Sequence, residues 1–153
     1  MIPYRRSRFA TELPSECLYS PSHFWLREEP EGIWRIGFTK FAIWLSGDPV
    51  ECEFSVTPGL RIAVGQEIGW MEGLKALNSI HAVAAGEFQG RGEETRSDIT
   101  LLDSDPYGRG WLYLVRGSPA PDCVDVHGYI KMLDEAVDRV IANRPECQGE
   151  CDG

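Results

Sequence analysis

The chain has no excess of positive charge, no long apolar run and no closely spaced cysteines, and each absence removes a class of protein. Fifteen Lys and Arg stand against 24 Asp and Glu, for a formal net charge of −9. A nucleic-acid binder needs a basic face, so no nucleic-acid partner is expected. No stretch approaches the roughly 18 apolar residues of a membrane span, so no membrane partner is expected either. The five cysteines, Cys17, Cys52, Cys123, Cys147 and Cys151, are odd in number and contain no C-x-x-C pair, which excludes both a disulfide framework and a zinc site. That usage fits reduced thiols and a cytoplasmic protein. Cys147 and Cys151 are read as two unremarkable thiols rather than a redox pair. His23, His81 and His127 show no ligand spacing, so no metal is expected. There is no G-x-S-x-G, Walker or dinucleotide fingerprint, hence no catalytic residue and no enzyme. Arg5, Arg6 and Arg8 precede no apolar segment, so a secretory signal is not expected.

What is present is an ordinary globular composition, 42% apolar and 25% charged, in 153 residues. That length suits one domain with a sizeable core. Residues 1–16 lack periodicity and are read as a surface arm. Short strands are expected within 17–28, broken near Pro21, and at 33–38 after a Pro30-Glu31-Gly32 turn. Thr39 caps a short apolar helix, 40–46, that ends at Gly47. Strands follow at 48–56 and 60–64, then a polar stretch at 90–98 that reads as an exposed loop. The last strand is expected at 110–115. From 125 to 143 the period changes: Ile130, Leu133, Val137, Val140 and Ile141 fall on one helical face, with Asp125 as cap. Burying those side chains contributes roughly 1.5–3 kcal/mol each before entropy. Residues 145–153 are acidic and read as a disordered tail. The fold class is mostly β, a barrel or sandwich with one short internal and one C-terminal helix.

The stretch with most chemical content is 66–86. Ile68 and Trp70 alternate on one side, and Ile80, Ala82 and Ala84 on the other, as half-buried strands do. Gly73 permits a tight reversal between them, and Lys75 sits in the turn. Taken alone, this is either an attachment point or an ordinary surface lysine.

Glu72-Gly73-Leu74-Lys75-Ala76 resembles the E-S-V-K-A hairpin that carries lipoate in the glycine cleavage H-protein family. Tyr19-Ser20-Pro21-Ser22-His23-Phe24-Trp25 is similar to that family's Y-x-x-S-H-E-W, Ile36-Gly37-Phe38-Thr39 to its V-G-I-T, and Gly47-Asp48 to its G-D. Asp105-Pro106-Tyr107-Gly108-x-Gly110-Trp111-Leu112 matches its D-P-Y-G-x-G-W-L. The resemblance runs from about residue 18 to 144. It implies a lipoyl-type barrel-sandwich hybrid of two small antiparallel sheets, with lipoate bound covalently to Lys75. It also implies roles for Gly59 and Gly86, sixteen before and eleven after the lysine, in hairpin geometry. Glu72 would be read by the lipoate-protein ligase or lipoyltransferase. Biotin carriers place methionine on both sides of the lysine; Leu74 and Ala76 stand here instead.

The resemblance further implies a surface cleft built from Ser22, His23, Phe24 and Ser79. The family has carboxylates where this chain has Phe24 and Ser79. A cationic amine there loses charge-assisted hydrogen bonds of about 1.5–3 kcal/mol each. Residues 90–98 also lack the family's N-x-x-L run. These departures point within the family to the lipoate-binding proteins of sulfur oxidation, whose arm carries sulfur for a heterodisulfide-reductase-like complex. The alternative is the H protein of glycine cleavage, carrying an aminomethyl group among glycine decarboxylase, aminomethyltransferase and dihydrolipoyl dehydrogenase. A second alternative is an interaction module of the same fold that is never lipoylated.

Overall fold

A computed structural model describes residues 1–143. Eleven strands and four α-helices follow the chain as β1 (Ile2–Arg6), β2 (Phe9–Leu13), β3 (Leu18–Tyr19), β4 (Phe24–Glu28), β5 (Ile33–Phe38), α1 (Lys40–Ser46), β6 (Pro49–Phe54), β7 (Arg61–Ile62), β8 (Glu67–Gly73), β9 (Leu77–His81), β10 (Ala84–Arg91), α2 (Glu93–Ser97), α3 (Leu101–Ser104), β11 (Tyr113–Pro119) and α4 (Val126–Ala142). All sheets are antiparallel. The larger of the two main sheets has the order β3-β4-β5-β11-β10-β7 and the smaller β6-β8-β9, with β1-β2 as a third, two-stranded sheet, giving the expected mostly-β, lipoyl-type barrel-sandwich.

Two cores explain why several strands are apolar on both faces. Between the two sheets lie Leu26, Ile36, Ile68, Met71, Ile80 and Val115, all buried. Outside the larger sheet, Tyr19, Trp25, Phe41, Tyr129, Leu133 and Val137 form a second cluster under α1 and α4. β4 alternates between them, with Phe24 and Leu26 facing inward and Trp25 outward. Trp25 lies over the bare Cα of Gly37, where an added Cβ would meet the indole at 2.7 Å. Its Nε1–H donates to the Pro106 carbonyl at 2.9 Å, and Arg27 donates to that of Tyr107. The Asp105–Gly108 turn is thereby tied to β4.

The two helices read from the sequence form as their caps predict. Thr39 accepts from the Ala42 N–H, Gly47 closes α1 with φ +81°, and the Asp125 carboxylate accepts from the Gly128 N–H at 2.9 Å.

Three segments differ from the sequence reading. Residues 1–16 are not a bare arm: β1 and β2 pair as a hairpin, with Tyr4, Phe9 and Leu13 buried in the outer core. Each strand sends so few residues inward that its alternation is faint. The polar stretch 90–98 is not a loop, since it holds the end of β10 and all of α2, whose first turn is acidic and whose last carries Arg96. In β8 the alternation breaks at a bulge between Glu67 and Gly69, so Ile68 and Met71 point inward and Trp70 is only half-buried. The tail 145–153, with Cys147 and Cys151, lies outside the described residues.

Candidate functional site

β8 and β9 form a hairpin whose turn is Leu74-Lys75-Ala76. The Gly73 N–H donates to the Ala76 carbonyl at 2.8 Å, closing the turn. Two further bonds fasten the tip to neighbouring segments: Lys75 N–H to the Ser46 carbonyl and Leu74 N–H to that of Asp48, both at 2.9 Å. The approach is close because residue 73 is glycine, where a Cβ would sit 2.2 Å from the Ser46 oxygen. A flexible-looking turn is therefore held rigidly at its backbone while its side chain is free. Lys75 is exposed, and among the described residues no carboxylate forms an ion pair with its ammonium. An exposed amine on a backbone fixed at both ends suits acylation, which removes its charge and extends the side chain.

Two grooves flank α1 beside this tip. One, of about 300 Å³, lies between α1 and β9 and brings together Ser22, His23, Phe24 and Ser79, the four predicted cleft residues. Phe24 does not project as a charged group would: its ring stacks on Phe38, centroids 5.0 Å apart. Ser22 bonds Ser20, and Asn78 donates to the Ser46 hydroxyl at 3.1 Å. Among the described residues no carboxylate lines this groove.

His23 is the unusual member. Its backbone is left-handed, φ 73°, and its Nδ1 lies 2.9 Å from the Tyr129 hydroxyl, which in turn lies 2.9 Å from that of Thr39. Burial lowers its pKa to about 4, with the charge of Arg139 acting in the same direction. The imidazole is therefore neutral at physiological pH. Tyr129 is neither among the sequence-predicted site residues nor in the stripe read for α4: the buried face is Val126, Tyr129, Leu133, Ala136 and Val137, with Ile130, Val140 and Ile141 only partly buried, and its place four residues before Leu133 is the signal for it.

The second groove, about 320 Å³, lies between α1 and α3. Ile43, Trp44, Leu74 and Lys75 itself line it, and Lys40 and Asp103 stand at its rim. This groove is not legible in the sequence, because α3 is only four residues long and has no helical period to read.

Glu72 is exposed on β8, two residues before the turn. Gly59 and Gly86 are not at the hairpin. Both lie by β10 of the larger sheet: the Gly59 N–H donates to the Phe88 carbonyl, and Gly86 is paired with Ile62. An added Cβ on Gly86 would lie 2.1 Å from the Arg116 oxygen, so it marks a close strand approach, while Gly59 has φ +97° in an open turn.

Cys17 and Cys52 are buried, and burial raises their thiol pKa to about 11 and about 12, so neither is a nucleophile at neutral pH. Among the described residues no helix is long and apolar enough to cross a membrane.

A barrel-sandwich that fixes a hairpin and leaves one amine free defines a lipoyl-type carrier domain. The model of the glycine cleavage H-protein family matches residues 17–133. Glycine cleavage system H proteins of Pseudoalteromonas atlantica and Aeromonas salmonicida are 31% and 34% identical to the chain over 128 residues, spanning 82% of it and 98% of each relative. The crystal structure of a glycine cleavage system H protein from Mycobacterium marinum superposes with a TM-score of 0.74 at 25% identity, covering 80% of this chain and 99% of the other. The chain belongs to the glycine cleavage H-protein family. Proteins of this family are carriers rather than catalysts and hold lipoate covalently on a lysine.

Proposed function

We propose that Lys75 is the lipoylated residue and that the protein is an H-type shuttle of glycine cleavage. In this reading it is a cytoplasmic carrier of an aminomethyl group among glycine decarboxylase, aminomethyltransferase and dihydrolipoyl dehydrogenase, modified by a lipoate-protein ligase or lipoyltransferase. The carrying observation is the exposed amine at a hairpin tip whose backbone is bonded to Ser46 and Asp48. Relatives bearing the H-protein name, which span most of the chain, support it over the sulfur-oxidation reading.

When bound, lipoate supplies a dithiolane that opens and closes by thiol–disulfide exchange. The residues of this chain do the holding. Gly73 lets the hairpin press against α1, Glu72 offers an acidic side chain to the attaching enzyme, and Gly59 and Gly86 shape the larger sheet that supports both. Nothing in this division of labour requires an active site of its own.

One observation favours a second reading, in which the arm carries sulfur for a heterodisulfide-reductase-like complex. The α1–β9 groove has stacked Phe24 and Ser79 and, among the described residues, no carboxylate, a poor environment for a cationic amine. Exchange of labelled bicarbonate into glycine by glycine decarboxylase, with the lipoylated protein as carrier, separates the two. Exchange that saturates with added carrier is expected for glycine cleavage. Absence of exchange from fully lipoylated protein overturns it and leaves the sulfur carrier.

A further inference from the structure

A surface cavity of about 480 Å³ lies at the far end of β6 from the lysine hairpin. β6 starts with Pro49 opposite Gly73 and ends with Phe54 opposite Gly69, which sets the cavity about 15 Å along the strand from the turn. Two irregularities beside the larger sheet shape it. β10 is bulged between Phe88 and Gly90, so Gln89 has no partner in β11. The Thr57-Pro58-Gly59 turn borders the same place: the Gly59 N–H donates to the Phe88 carbonyl and the Phe88 N–H to that of Leu60, both at 2.8 Å. A Cβ built on Gly90 would meet only Pro58, at 3.8 Å, so the turn and the bulge stand apart. The lining between them is aromatic. Phe88 is buried and Phe54 half-buried, with ring centroids 5.6 Å apart, and Val56 and Pro58 complete the apolar surface.

Four charged side chains share this lining, and Arg91 is the best fixed of them. It is 15% exposed, its guanidinium lies 5.5 Å from the Phe54 ring centroid, and its Nη1 donates to the Cys52 carbonyl at 3.0 Å. Its Nε is buried with no hydrogen-bond partner among the described residues. An unpaired buried N–H of a charged group costs free energy until an acceptor reaches it. The Glu53 carboxylate stands 3.9 Å from Nη1, too far for a hydrogen bond, so neither group satisfies the other. Glu93 and Arg96 are exposed on α2, and among the described residues neither forms an ion pair.

Two guanidinium groups and two carboxylates around an apolar surface balance in charge. That balance disfavours a phosphate or a simple carboxylic acid and suits a small molecule carrying both signs. We propose that this cavity binds a free α-amino acid with an apolar side chain. Arg91 and Arg96 hold its carboxylate, Glu53 and Glu93 hold its ammonium, and its side chain covers Phe54 and Phe88. Peptide linkage removes one of the two charges from a terminal residue and both from an internal one, so the site selects the free amino acid. The volume lies within the range of small-molecule sites. Arg96 and Glu93 come from the 90–98 segment, where the chain lacks the family's N-x-x-L run. The site is therefore separate from the hairpin and independent of the reading of Lys75.

The test is titration of the full chain with L-phenylalanine, followed by amide NMR shifts. 3-Phenylpropanoate, which lacks the ammonium, and phenethylamine, which lacks the carboxylate, serve as comparison probes. L-Phenylalanine is expected to give saturable shifts at Gln89, Gly90, Arg91 and the residues of α2. Each comparison probe leaves two charged side chains unmatched and is expected to bind about tenfold or more weakly. Arg96→Ala and Glu93→Gln, at exposed positions outside both cores, are expected to weaken L-phenylalanine binding by a similar factor. No saturable shift up to millimolar concentration, or shifts confined to other parts of the chain, overturns the proposal. Equal binding of either comparison probe, or unchanged affinity in either variant, overturns it as well.

Discussion

His23 combines three features that a surface histidine does not have together: a left-handed backbone, a hydrogen bond to Tyr129 and a pKa lowered to about 4 by burial. Because its folded pKa is below the unfolded value of about 6.5, the unfolded state takes up the proton first as pH falls. Stability contributed by the neutral ring is complete above pH 6.5 and is lost between 6.5 and 4, at about 1.4 kcal/mol per pH unit, or roughly 3 kcal/mol in all. Asn tolerates the left-handed backbone and does not titrate. His23→Asn is expected to flatten the fall in urea midpoint between pH 6.5 and 4; an unchanged slope would show that other groups cause it. The sequence placed His23 in the cleft but could not show its partner, since Tyr129 lies 106 residues away. Phe24 and Ser79 were legible as departures from the family pattern. That Phe24 stacks on Phe38 required the strand register, which sets the two opposite each other across β4 and β5.

At the scale of elements, legibility followed the strength of the local signal. The helix α1 has a Thr cap, an apolar run and a terminal glycine, and α4 has a five-residue apolar stripe with an Asp cap, so both were read nearly to their ends. The helix α2 has a single buried residue, the polar Thr95, and therefore no apolar period to read. The β8 bulge changes which side of the strand faces inward, and its one sequence signal is Gly69, where an added Cβ would lie 2.3 Å from the Glu53 oxygen. The β1–β2 hairpin was missed because its inward residues are few, yet they are well buried. Phe9, 2% exposed, packs edge-on against Phe41 and against Trp44. Outside, Arg6 bonds Asp138 at 2.8 Å and approaches Asp134 at 3.5 Å. Exposed ion pairs of this kind contribute at most about 1 kcal/mol, whereas truncating a buried phenylalanine costs about 3–5 kcal/mol. In chemical denaturation, Phe9→Ala is expected to destabilise the protein several times more than Arg6→Ala. Equal losses would mean that the hairpin is held by charge rather than by its aromatic side.

Over the whole molecule, the parts have separate duties. The inner core between the two sheets and the outer core under α1 and α4 pack the two faces of the larger sheet. The hairpin β8–β9 is bonded to that body at Leu74 and Lys75, so the lysine's position is set by the fold as a whole rather than by its turn alone. The resemblance in sequence rested on motifs that the structure shows to be structural as well: Trp25, Gly37 and the Asp105–Gly108 turn hold one another in place. That is why family membership could be read from them, while the passenger, which depends on groove lining, could not. The central claim is that Lys75 carries a lipoyl group, and intact mass spectrometry of the protein purified from cells containing its ligase tests it most directly. The account predicts a single lipoyl-sized increment on the wild-type chain and its complete loss in Lys75→Arg. An unmodified wild-type mass under those conditions, or an increment that persists in Lys75→Arg, would contradict it.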